Sequence, residues 1–345
     1  MLEDTVIGRS AARFNLQWHV THACDLACKH CYDRTRLSAT PLDQCLRTLD
    51  DLGSFSKERG VQASVTLTGG NPFLHPRFFD LCREVAASGF PLSILGNPVS
   101  RDEVRRLVAV ARPTFFQVSL EGLCEHNDSI RGPGTFQSVL DFLPVLREEG
   151  ISPIVMTTLT RDNLGQIVPL ARLLGARTDR ATFTRLARVG EGAALTLPTK
   201  DEYGEFAMNY LAARRELGTL GLKDNLLNIV LHALGQPLSG GCTGFGCGAA
   251  FNFVAVLPNA EVHACRKFPS RIGSLLESRL SDIWDSPAAR RHRRGCAECD
   301  GCPIRKRCGG CLAVAHGEGL DPSKERDPHC FIDDLEGFRD KLRAR

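Results

Sequence analysis

The chain has 345 residues, of which 43% are hydrophobic, and a formal net charge of +3. This length suits one large domain with a smaller appendix, and the apolar content is sufficient for a buried core. The small net charge does not indicate a nucleic-acid partner, and no window is apolar enough for a transmembrane span, so we expect neither nucleic acid nor membrane as a partner.

Fifteen cysteines are many for a chain of this length. Residues 1–5 are polar and lack the apolar stretch of a signal peptide, which predicts a cytoplasmic protein. Cysteine richness in a cytoplasmic chain favours metal binding over disulfides. Most of the cysteines fall into two blocks, near the start and after residue 241, and we expect the scattered Cys45, Cys82 and Cys124 to be packed as small hydrophobic residues.

From residue 14 onward the sequence predicts alternating strands and helices. The predicted strands cover 14–20, 63–68, 91–95, 115–120, 154–159 and 181–186, and the helices between them cover 41–59, 77–88, 101–111, 136–149 and 164–174. Such a pattern predicts an α/β fold, a parallel barrel or partial barrel with the helices outside. In folds of this kind the chemistry lies at the carboxyl ends of the strands.

The loop after the first predicted strand contains three closely spaced cysteines. They form a Cys-x3-Cys-x2-Cys run at Cys24, Cys28 and Cys31. Three thiolates can hold three corners of an iron–sulfur cube, which leaves one iron open to a small molecule. The alternative is a zinc knuckle, whose fourth ligand would be His22, Asp25 or His30.

This run is similar to the signature of the radical S-adenosylmethionine (SAM) superfamily. The resemblance implies a [4Fe-4S] cluster whose open iron chelates the amino and carboxylate groups of SAM, and a partial (β/α)6 barrel of the radical SAM type. It also implies a role for His30, which stands where the superfamily usually has an aromatic ring against the adenine. An exposed histidine is the alternative for that position.

A glycine pair follows the second predicted strand. The stretch Gly69-Gly70-Asn71-Pro72 resembles the Gly-Gly-Glu-Pro element of the superfamily, whose backbone holds the amino group of SAM. Glycines permit a close approach of the backbone to a ligand. Asn71 replaces the usual Glu, which removes a negative charge but keeps a side-chain carbonyl acceptor.

Further SAM contacts are implied by resemblance after the later strands. Ser119 and Arg131 are similar to the pair that holds the methionine carboxylate in enzymes that mature peptides, and Arg suits this task because its planar fork pairs bidentately with a carboxylate. The alternative for Arg131 is a solvated loop charge. Thr157 and Leu186 stand where relatives touch the ribose and the adenine, although strand residues of these types usually serve packing.

The second cysteine block begins after turn-forming residues at 235–241, where we predict a domain boundary. Its members are Cys242, Cys247, Cys265, Cys296, Cys299, Cys302, Cys308, Cys311 and Cys330. Residues 251–257 and 261–265 are predicted to form a β-hairpin. The block resembles the C-terminal SPASM domain, which carries auxiliary four-iron clusters, with two departures: Ala260 replaces a turn glycine, and the last Cys-Gly-Gly-Cys pair is one residue tighter than usual.

The resemblance implies two auxiliary [4Fe-4S] clusters, and we expect three domains or segments, at 1–13, 14–235 and 236–345. Cys242, Cys247, Cys265 and Cys311 would hold the inner cluster, nearer the barrel. Cys299, Cys302, Cys308 and Cys330 would hold the outer one, and Cys296 would be spare or would exchange with a neighbour. A zinc ribbon is the alternative for this tail.

The implied activity is generation of a 5′-deoxyadenosyl radical that modifies a ribosomally synthesised peptide or protein side chain, with an external one-electron donor such as flavodoxin or ferredoxin. Asn71 and the tight cysteine pair are similar to thio(seleno)oxazole-type peptide maturases. Modification of a porphyrin side chain in haem synthesis and a non-enzymatic electron-transfer protein are the alternatives. Sulfatase-maturing relatives have a proposed Asp base after the hairpin cysteine; here Arg266 follows and cannot accept a proton, so we assign no catalytic acid or base. Its positive charge would favour an acidic peptide or a propionate-bearing ring.

Overall fold

The computed structural model of the protein describes residues 1–4 and 7–335. Two short strands, β1 (Leu2–Asp4) and β2 (Arg9–Ala11), form a separate hairpin. The main sheet has nine strands: β3 (Arg13–Thr21), β4 (Gln62–Gly69), β5 (Leu92–Leu95), β6 (Phe115–Ser119), β7 (Ser152–Leu159), β8 (Arg180–Arg185), β9 (Phe253–Val256), β10 (Glu261–His263) and β11 (Arg271–Ser274). The helices are α1 (Leu42–Arg59), α2 (Phe78–Ala87), α3 (Arg101–Val110), α4 (Cys124–Arg131), α5 (Thr135–Glu148), α6 (Ile167–Leu174), α7 (Lys200–Glu216), α8 (Leu227–Ala233), α9 (Leu280–Asp285), α10 (Pro287–Arg294) and α11 (Leu312–Gly317).

Six strands of the sheet are parallel and lie side by side in chain order, from β3 to β8. Helices α1 to α6 connect them, and their apolar faces are buried against the sheet, as with Leu49, Leu52 and Phe55 of α1. Parallel strands need such helical crossovers. The sheet is open, with β8 at one edge, which confirms the predicted α/β fold as a partial barrel.

The C-terminal strands extend this sheet beyond β3. Strand β9 pairs parallel with β3, Leu16 lying opposite Val254, and β10 and β11 follow as antiparallel neighbours. The predicted hairpin turn is present, and Ala260 has the left-handed φ of +65°, a conformation for which glycine is usual. The predicted division into segments 1–13, 14–235 and 236–345 stays a prediction. Residues 5–6 of the first segment and residues 336–345 of the last lie outside the described part of the chain.

The sequence predicts no element between 186 and 235, whereas the structure has α7 and α8 there. Helix α7 begins with a capping box, in which the Thr199 hydroxyl accepts from the Glu202 N–H and the Glu202 carboxylate accepts from the Thr199 N–H. Its residues Tyr203, Phe206 and Tyr210 are buried. The structure also places Arg131 at the end of α4 rather than in a loop.

All fifteen cysteines are free thiols. Cys45 and Cys82 are buried in α1 and α2, as predicted, whereas Cys124 is exposed at the start of α4, so the prediction for that residue is wrong. None of the helices in the described part of the chain combines the length and the hydropathy that a membrane crossing requires.

Candidate active site

The cysteine loop after β3 is held directly against the end of β4. The N–H of Gly70 donates to the Thr21 carbonyl at 2.9 Å, and the N–H of Asn71 donates to the Ala23 carbonyl at 2.8 Å. A Cβ at position 70 would lie 2.1 Å from the Ala23 oxygen, and one at Gly69 would lie 2.0 Å from the Thr21 oxygen. The glycine pair is therefore required for the cysteine loop to close onto the sheet, and the N–H groups of Gly70 and Asn71 are already used in that closure.

The thiols of this loop influence one another's ionisation. Burial raises the pKa of Cys24 and of Cys28, and the negative charge of Cys31 raises both further. The N–H of Cys31 donates to the Cys28 carbonyl at 3.2 Å, which closes a tight turn between the last two thiols. Neighbouring thiols whose ionisation is costly gain most from a positively charged metal group, and thiolates are the ligands of iron–sulfur clusters.

Two asparagine amides connect the ends of β4 and β5 to the cysteine loop. Asn71 Nδ2 donates to Asp25 Oδ1 at 3.2 Å, and Asn97 Nδ2 donates to the same oxygen at 2.6 Å. Asn97 Nδ2 also lies 3.7 Å from the Cys24 sulfur. Both amides are almost fully buried, so they fix the position of Asp25 between the first two cysteines.

Glu121 is the centre of a second buried group at the end of β6. Its carboxylate accepts from Arg131 Nη1 at 3.0 Å, lies 3.2 Å from His30 Nε2 and accepts from the Thr158 N–H at 2.7 Å. Burial alone would raise the pKa of Glu121, but His30, Arg131 and the Thr158 N–H outweigh it and lower the pKa to about 2. Arg131 Nη2 donates to Asn97 Oδ1 at 3.2 Å, which joins this group to the asparagine pair.

Two nitrogen atoms of this network are buried without a hydrogen-bond partner among the described residues, Arg131 Nε and His30 Nδ1. Leaving a buried polar group unpaired costs about 1–3 kcal/mol. Arg131 acts electrostatically on the Cys28 thiol, and His30 directly precedes Cys31, so a polar ligand bound at the cysteine loop would satisfy both atoms. Three thiols and these two unpartnered nitrogen atoms are a donor set that would suit a [4Fe-4S] cluster and SAM.

The other predicted contact residues lie around the same network. Ser119 ends β6, two residues before Glu121, and the buried Thr157 precedes the Thr158 N–H. Leu186 follows β8 and packs with Leu197 and Val314 in a small separate apolar cluster. The structure therefore joins His30, Asn71 and Arg131 by hydrogen bonds, places Ser119 and Thr157 next to Glu121 and the Thr158 N–H along the chain, and packs Leu186 in a separate apolar cluster.

The cysteines predicted for the inner auxiliary cluster influence one another's ionisation. Burial raises the pKa of Cys265 to about 12, and Cys242 and Cys247 raise it further. Burial likewise raises the pKa of Cys311 to about 12, with a smaller contribution from Cys247. Asn225 holds two of the loops together, because its Oδ1 accepts from the Cys242 N–H at 2.8 Å while its Nδ2 donates to the carbonyl before Cys311 at 2.6 Å.

The cysteines predicted for the outer cluster form a second group. Burial raises the pKa of Cys299 to about 12, followed by the effects of Cys296, Cys330 and Cys302. Burial also raises the pKa of Cys308, with Cys330 and Cys299 adding to it. Cys296 is buried, hydrogen-bonds with the Cys299 thiol and donates to the Lys324 carbonyl at 3.2 Å. The thiol left over by the predicted partition is thus a fifth member of this group.

A buried ion network connects the barrel to the auxiliary cysteines. Arg185 of β8 donates to Asp327 through Nη1 and Nη2, at 2.6 and 2.7 Å, and to Asp224 through Nε at 2.9 Å. Asp327 Oδ2 also accepts from the Cys311 N–H at 2.8 Å. The two carboxylates raise the pKa of Arg185 despite its complete burial. One arginine therefore positions the loop of an auxiliary cysteine.

Arg266 does not present a free charge. Its guanidinium forms an ion pair with Asp33, which comes two residues after Cys31, and it lies 6.0 Å from the centre of the Tyr32 ring. Both partners are largely buried. This pair joins the loop of the first cysteine block to the residue after Cys265, and it contradicts the expectation that Arg266 offers its charge to a substrate.

Sequence reasoning missed Glu121 and Asn97 as members of the site, and it considered Asp25 only as a possible zinc ligand, not as the acceptor of the two amides. A signal for Asn97 is present in the sequence, because Gly96-Asn97-Pro98 repeats the Gly-Asn-Pro pattern of Gly70-Asn71-Pro72 after the next strand. Glu121 directly follows Leu120 at the end of a predicted strand. The position of Asp25 in the cysteine run does not reveal its role as an acceptor, which depends on two amides about 50 and 70 residues away.

Comparisons with known proteins agree with this geometry. The radical SAM superfamily profile matches residues 18–174, and the profile of an iron–sulfur cluster-binding domain, SPASM, matches residues 247–311. The mycofactocin maturase MftC of Mycobacterium tuberculosis is 30% identical over 338 residues, covering 91% of this chain and 82% of that protein. The AdoMet-dependent heme synthase of Methanosarcina barkeri is 24% identical over 348 residues, covering 92% of this chain and 95% of that protein. Among solved structures, Streptococcus suis SuiB bound to S-adenosylmethionine has the same fold, with a TM-score of 0.72 and 18% identity. The match covers 92% of this chain and 77% of the SuiB chain.

Proposed function

Since the chain belongs to the radical SAM superfamily and carries a SPASM iron–sulfur domain, we propose that it modifies a ribosomally made precursor peptide by radical chemistry. The observation that carries this proposal is the 30% identity to the maturase MftC along 91% of the chain. The fold agrees, because SuiB is also known with a bound precursor peptide. The thio(seleno)oxazole type of product stays a prediction.

The residues of the site have separable tasks in this reaction. When bound, a [4Fe-4S] cluster and SAM would supply the radical chemistry that removes hydrogen from the substrate. Cys24, Cys28 and Cys31 would hold that cluster, and Asn71 and Asn97 keep the cysteine loop in place through Asp25. The remaining residues bind SAM and exclude water from the pocket.

We assign the SAM carboxylate to Ser119 and to the unpartnered Nε–H of Arg131, since the other guanidinium nitrogens already serve Glu121 and Asn97. His30 would lie against the adenine, with Thr157 and Leu186 near the ribose and the base. Gly69 and Gly70 would offer carbonyl oxygens to the amino group, because their neighbouring N–H groups are used in the cysteine loop.

The C-terminal cysteines would hold two auxiliary clusters in the predicted partition, with Cys296 beside the outer one. Their buried thiols favour a bound positive group over free ionisation. An external flavodoxin or ferredoxin would supply the electron. The fifteen free thiols suit the reducing cytoplasm, where we place the enzyme.

A porphyrin substrate is the second candidate, favoured by the 24% identity to the heme synthase over 92% of the chain. The tight Cys308-Gly309-Gly310-Cys311 pair is also similar to enzymes of that class. A purely electron-transferring protein would leave the buried Arg131 and His30 nitrogens at the SAM site without a purpose.

The test uses anaerobically reconstituted protein with reduced flavodoxin and SAM. We expect 5′-deoxyadenosine, and a mass change in a short precursor peptide encoded beside the gene, whereas a porphyrin offered in place of the peptide should be unchanged. The triple Cys24→Ala, Cys28→Ala, Cys31→Ala variant is the matched control and should give neither product. Conversion of the porphyrin and not of the peptide would replace the first candidate by the second, and absence of SAM cleavage in the native protein would contradict both.

A further inference from the structure

Arg9 belongs to the N-terminal hairpin of β1 and β2, yet its side chain contacts the loop that carries Cys247. It is the first residue of β2, and its side chain is 6% exposed. Nη1 donates to the carbonyls of Phe245 and Cys247, at 3.2 and 2.7 Å, and Nη2 donates to the Arg293 carbonyl at 3.3 Å. The Asp4 carboxylate of β1 accepts from Nε at 3.3 Å and from Nη2 at 2.9 Å. The hairpin is therefore bonded to a cysteine that lies 238 residues further along the chain.

These contacts use the whole hydrogen-bonding capacity of the Arg9 guanidinium. Arginine has five N–H donors in a planar fork, and the two bonds to Asp4 and the three bonds to carbonyls account for all of them. The guanidinium carbon also lies 4.4 Å from the centre of the Phe251 ring, where a cation is attracted to the aromatic face. A lysine has three donors on one nitrogen and cannot reach all of these acceptors at once. This set of acceptors is thus specific for arginine.

The backbone of Cys247 is held through both of its polar groups. Its carbonyl accepts from Arg9, and its N–H donates to the Cys308 carbonyl at 3.2 Å. Gly246 permits this close approach, because a Cβ at that position would lie 2.9 Å from the carbonyl carbon of Arg307. With both backbone groups bonded, the main freedom left to Cys247 is the choice of side-chain rotamer. Its thiol is therefore presented from a backbone whose position is already set.

The same loop is bonded through further carbonyls on its way to β9. Arg293 Nη1 donates to the Ala250 carbonyl at 2.9 Å, and Trp284 Nε1 donates to the Phe251 carbonyl at 2.9 Å. The Arg293 carbonyl that Arg9 binds lies in the last turn of α10, where carbonyls have no partner within the helix and a positive charge is favourable. Arg9 and Arg293 therefore connect the hairpin, the end of α10 and the cysteine loop in one buried contact.

We propose that Arg9 is a positioning residue for the inner auxiliary cluster, because it fixes the backbone that carries Cys247. The inference rests on the ligand partition given under the proposed function, in which Cys247 binds that cluster. Groups that hold metal ligands in place through hydrogen bonds typically change metal affinity by about 10–100-fold when they are removed. The N-terminal hairpin is thus part of the auxiliary site, and retention of the cluster depends on a residue that supplies no ligand itself.

The test follows each cysteine of the anaerobically reconstituted protein separately. The protein is incubated with an iron chelator and iodoacetamide, and peptide mapping by mass spectrometry gives the rate at which each thiol is alkylated. In Arg9→Met we expect alkylation of Cys247 to be about 10–100-fold faster than in the wild type, whereas Cys24, Cys28 and Cys31 should react at the wild-type rate. The electron paramagnetic resonance spectrum of the reduced protein should change for one cluster only. Arg9→Lys should also expose Cys247, because a lysine cannot make the three carbonyl bonds together with the ion pair.

Asp4→Asn and Arg13→Met are the matched controls. Asp4→Asn weakens the same buried ion pair but leaves the three carbonyl bonds of Arg9 in place. It should therefore lower the free energy of unfolding of the iron-free protein while Cys247 stays protected. Arg13→Met makes the same exchange at an exposed position and should change neither quantity. If Asp4→Asn exposed Cys247 as fast as Arg9→Met does, the effect would come from stability alone, and the proposal would be overturned.

The same measurements separate this inference from the assignments on which it depends. If reconstitution did not protect Cys247 in the wild type, the ligand partition and this inference would both be wrong, whereas protection that does not depend on Arg9 would overturn this inference alone. Amide hydrogen exchange of the iron-free protein covers the case in which Arg9→Met takes up little iron. Exchange in residues 243–251 should then be faster in Arg9→Met and Arg9→Lys than in Asp4→Asn, and equal exchange in all three would also overturn the proposal. A failure to modify the precursor peptide would contradict the proposed function and leave these rates unaffected.

Discussion

The ion pair between Arg131 and Glu121 allows a prediction that separates a SAM-binding role from a structural one. The exposed fractions of the two side chains are 9% and 2%. Arg131→Ala removes the cation and leaves the Glu121 carboxylate buried with His30 and one N–H. Removing one partner of a buried pair costs about 3–5 kcal/mol, because the remaining charge is uncompensated.

The magnitude for Glu121 is consistent with the lower end of that range. Its pKa falls from 4.5 to about 2, and such a shift corresponds to about 3 kcal/mol of stabilisation of the charged form. A carboxylate with a lowered pKa contributes stability above its unfolded-state pKa and loses it as the pH falls through the folded-state value. The wild type should therefore exceed Glu121→Gln in its free energy of unfolding by a constant amount above pH 4.5. This difference should shrink as the pH falls from 4.5 to about 2.

The assay is urea unfolding of the iron-free protein at pH 7, combined with SAM binding to the reconstituted protein. We expect Arg131→Ala to lose about 3 kcal/mol of stability and the double variant with Glu121→Gln to recover most of it, since no unpaired charge then remains. SAM binding should be weaker by about 1.5–3 kcal/mol in both, because the hydrogen bond to a charged ligand is absent in both. Ser119→Ala should cost less SAM affinity.

Arg147 provides the matched control, because it pairs with Asp179 at 2.6 Å with 46% and 44% of the two side chains exposed. Exposed pairs are worth about 0–1 kcal/mol. If Arg131→Ala were no more destabilising than Arg147→Ala, the buried pair would be energetically irrelevant. An unchanged SAM dissociation constant in the double variant would remove Arg131 from the SAM site.

Three further predictions follow from the cysteine groups and the buried arginines. Reconstituted protein should contain about twelve irons in three four-iron clusters. The variant with Cys24, Cys28 and Cys31 all replaced by Ala should lose about four of these irons together with SAM cleavage. A metal analysis that finds a colourless protein containing zinc would contradict this prediction. Arg185→Met should lower the free energy of unfolding by about 3–5 kcal/mol, because it leaves two buried carboxylates unpaired. Arg188→Met removes one partner of a half-exposed pair and should change the free energy of unfolding by less than about 1 kcal/mol. Equal effects of the two substitutions in urea unfolding would refute this prediction. The native chain should not convert a sulfatase-type Cys-x-x-x-Arg peptide to formylglycine, because Arg266 cannot accept a proton, and detection of that product by mass spectrometry would show that another group supplies the base.

The alternating strands and helices of the barrel can be predicted from the sequence because each is indicated by a pattern within its own segment. Helix α1 is predicted from the spacing of Leu42, Leu49 and Leu52 within one segment, and the six parallel strands are predicted from short apolar runs bounded by turns. Helix α7 escapes this reasoning because it buries residues around much of its circumference, so no single apolar stripe is visible. Its Thr199 and Glu202 capping box is the signal that would have found its start.

The candidate site can be predicted only in part, because many of its contacts join residues that are far apart in the sequence. Arg131 can be identified from its motif, but its partner Glu121 depends on the packing of α4 against the end of β6. The network of Arg185 depends on Asp327, which lies 142 residues further along the chain. Contacts of such sequence separation leave no local pattern, and they are established only when the parallel strands and the C-terminal domain are assembled.

The distribution of charge in the lumen follows from two cations that occupy neighbouring positions after Cys265. Arg266 forms an ion pair with Asp33, so its positive charge holds the loop of the first cysteine block against the inner auxiliary group. Lys267 donates to the Thr184 hydroxyl at 2.8 Å, and among the described residues it forms no ion pair with a carboxylate. A planar guanidinium is suited to a fixed, multidentate contact with a carboxylate, whereas an ammonium on a flexible stem adapts to an arriving group. The first of these two cations therefore holds two loops together through a carboxylate, whereas the second is paired with a neutral hydroxyl.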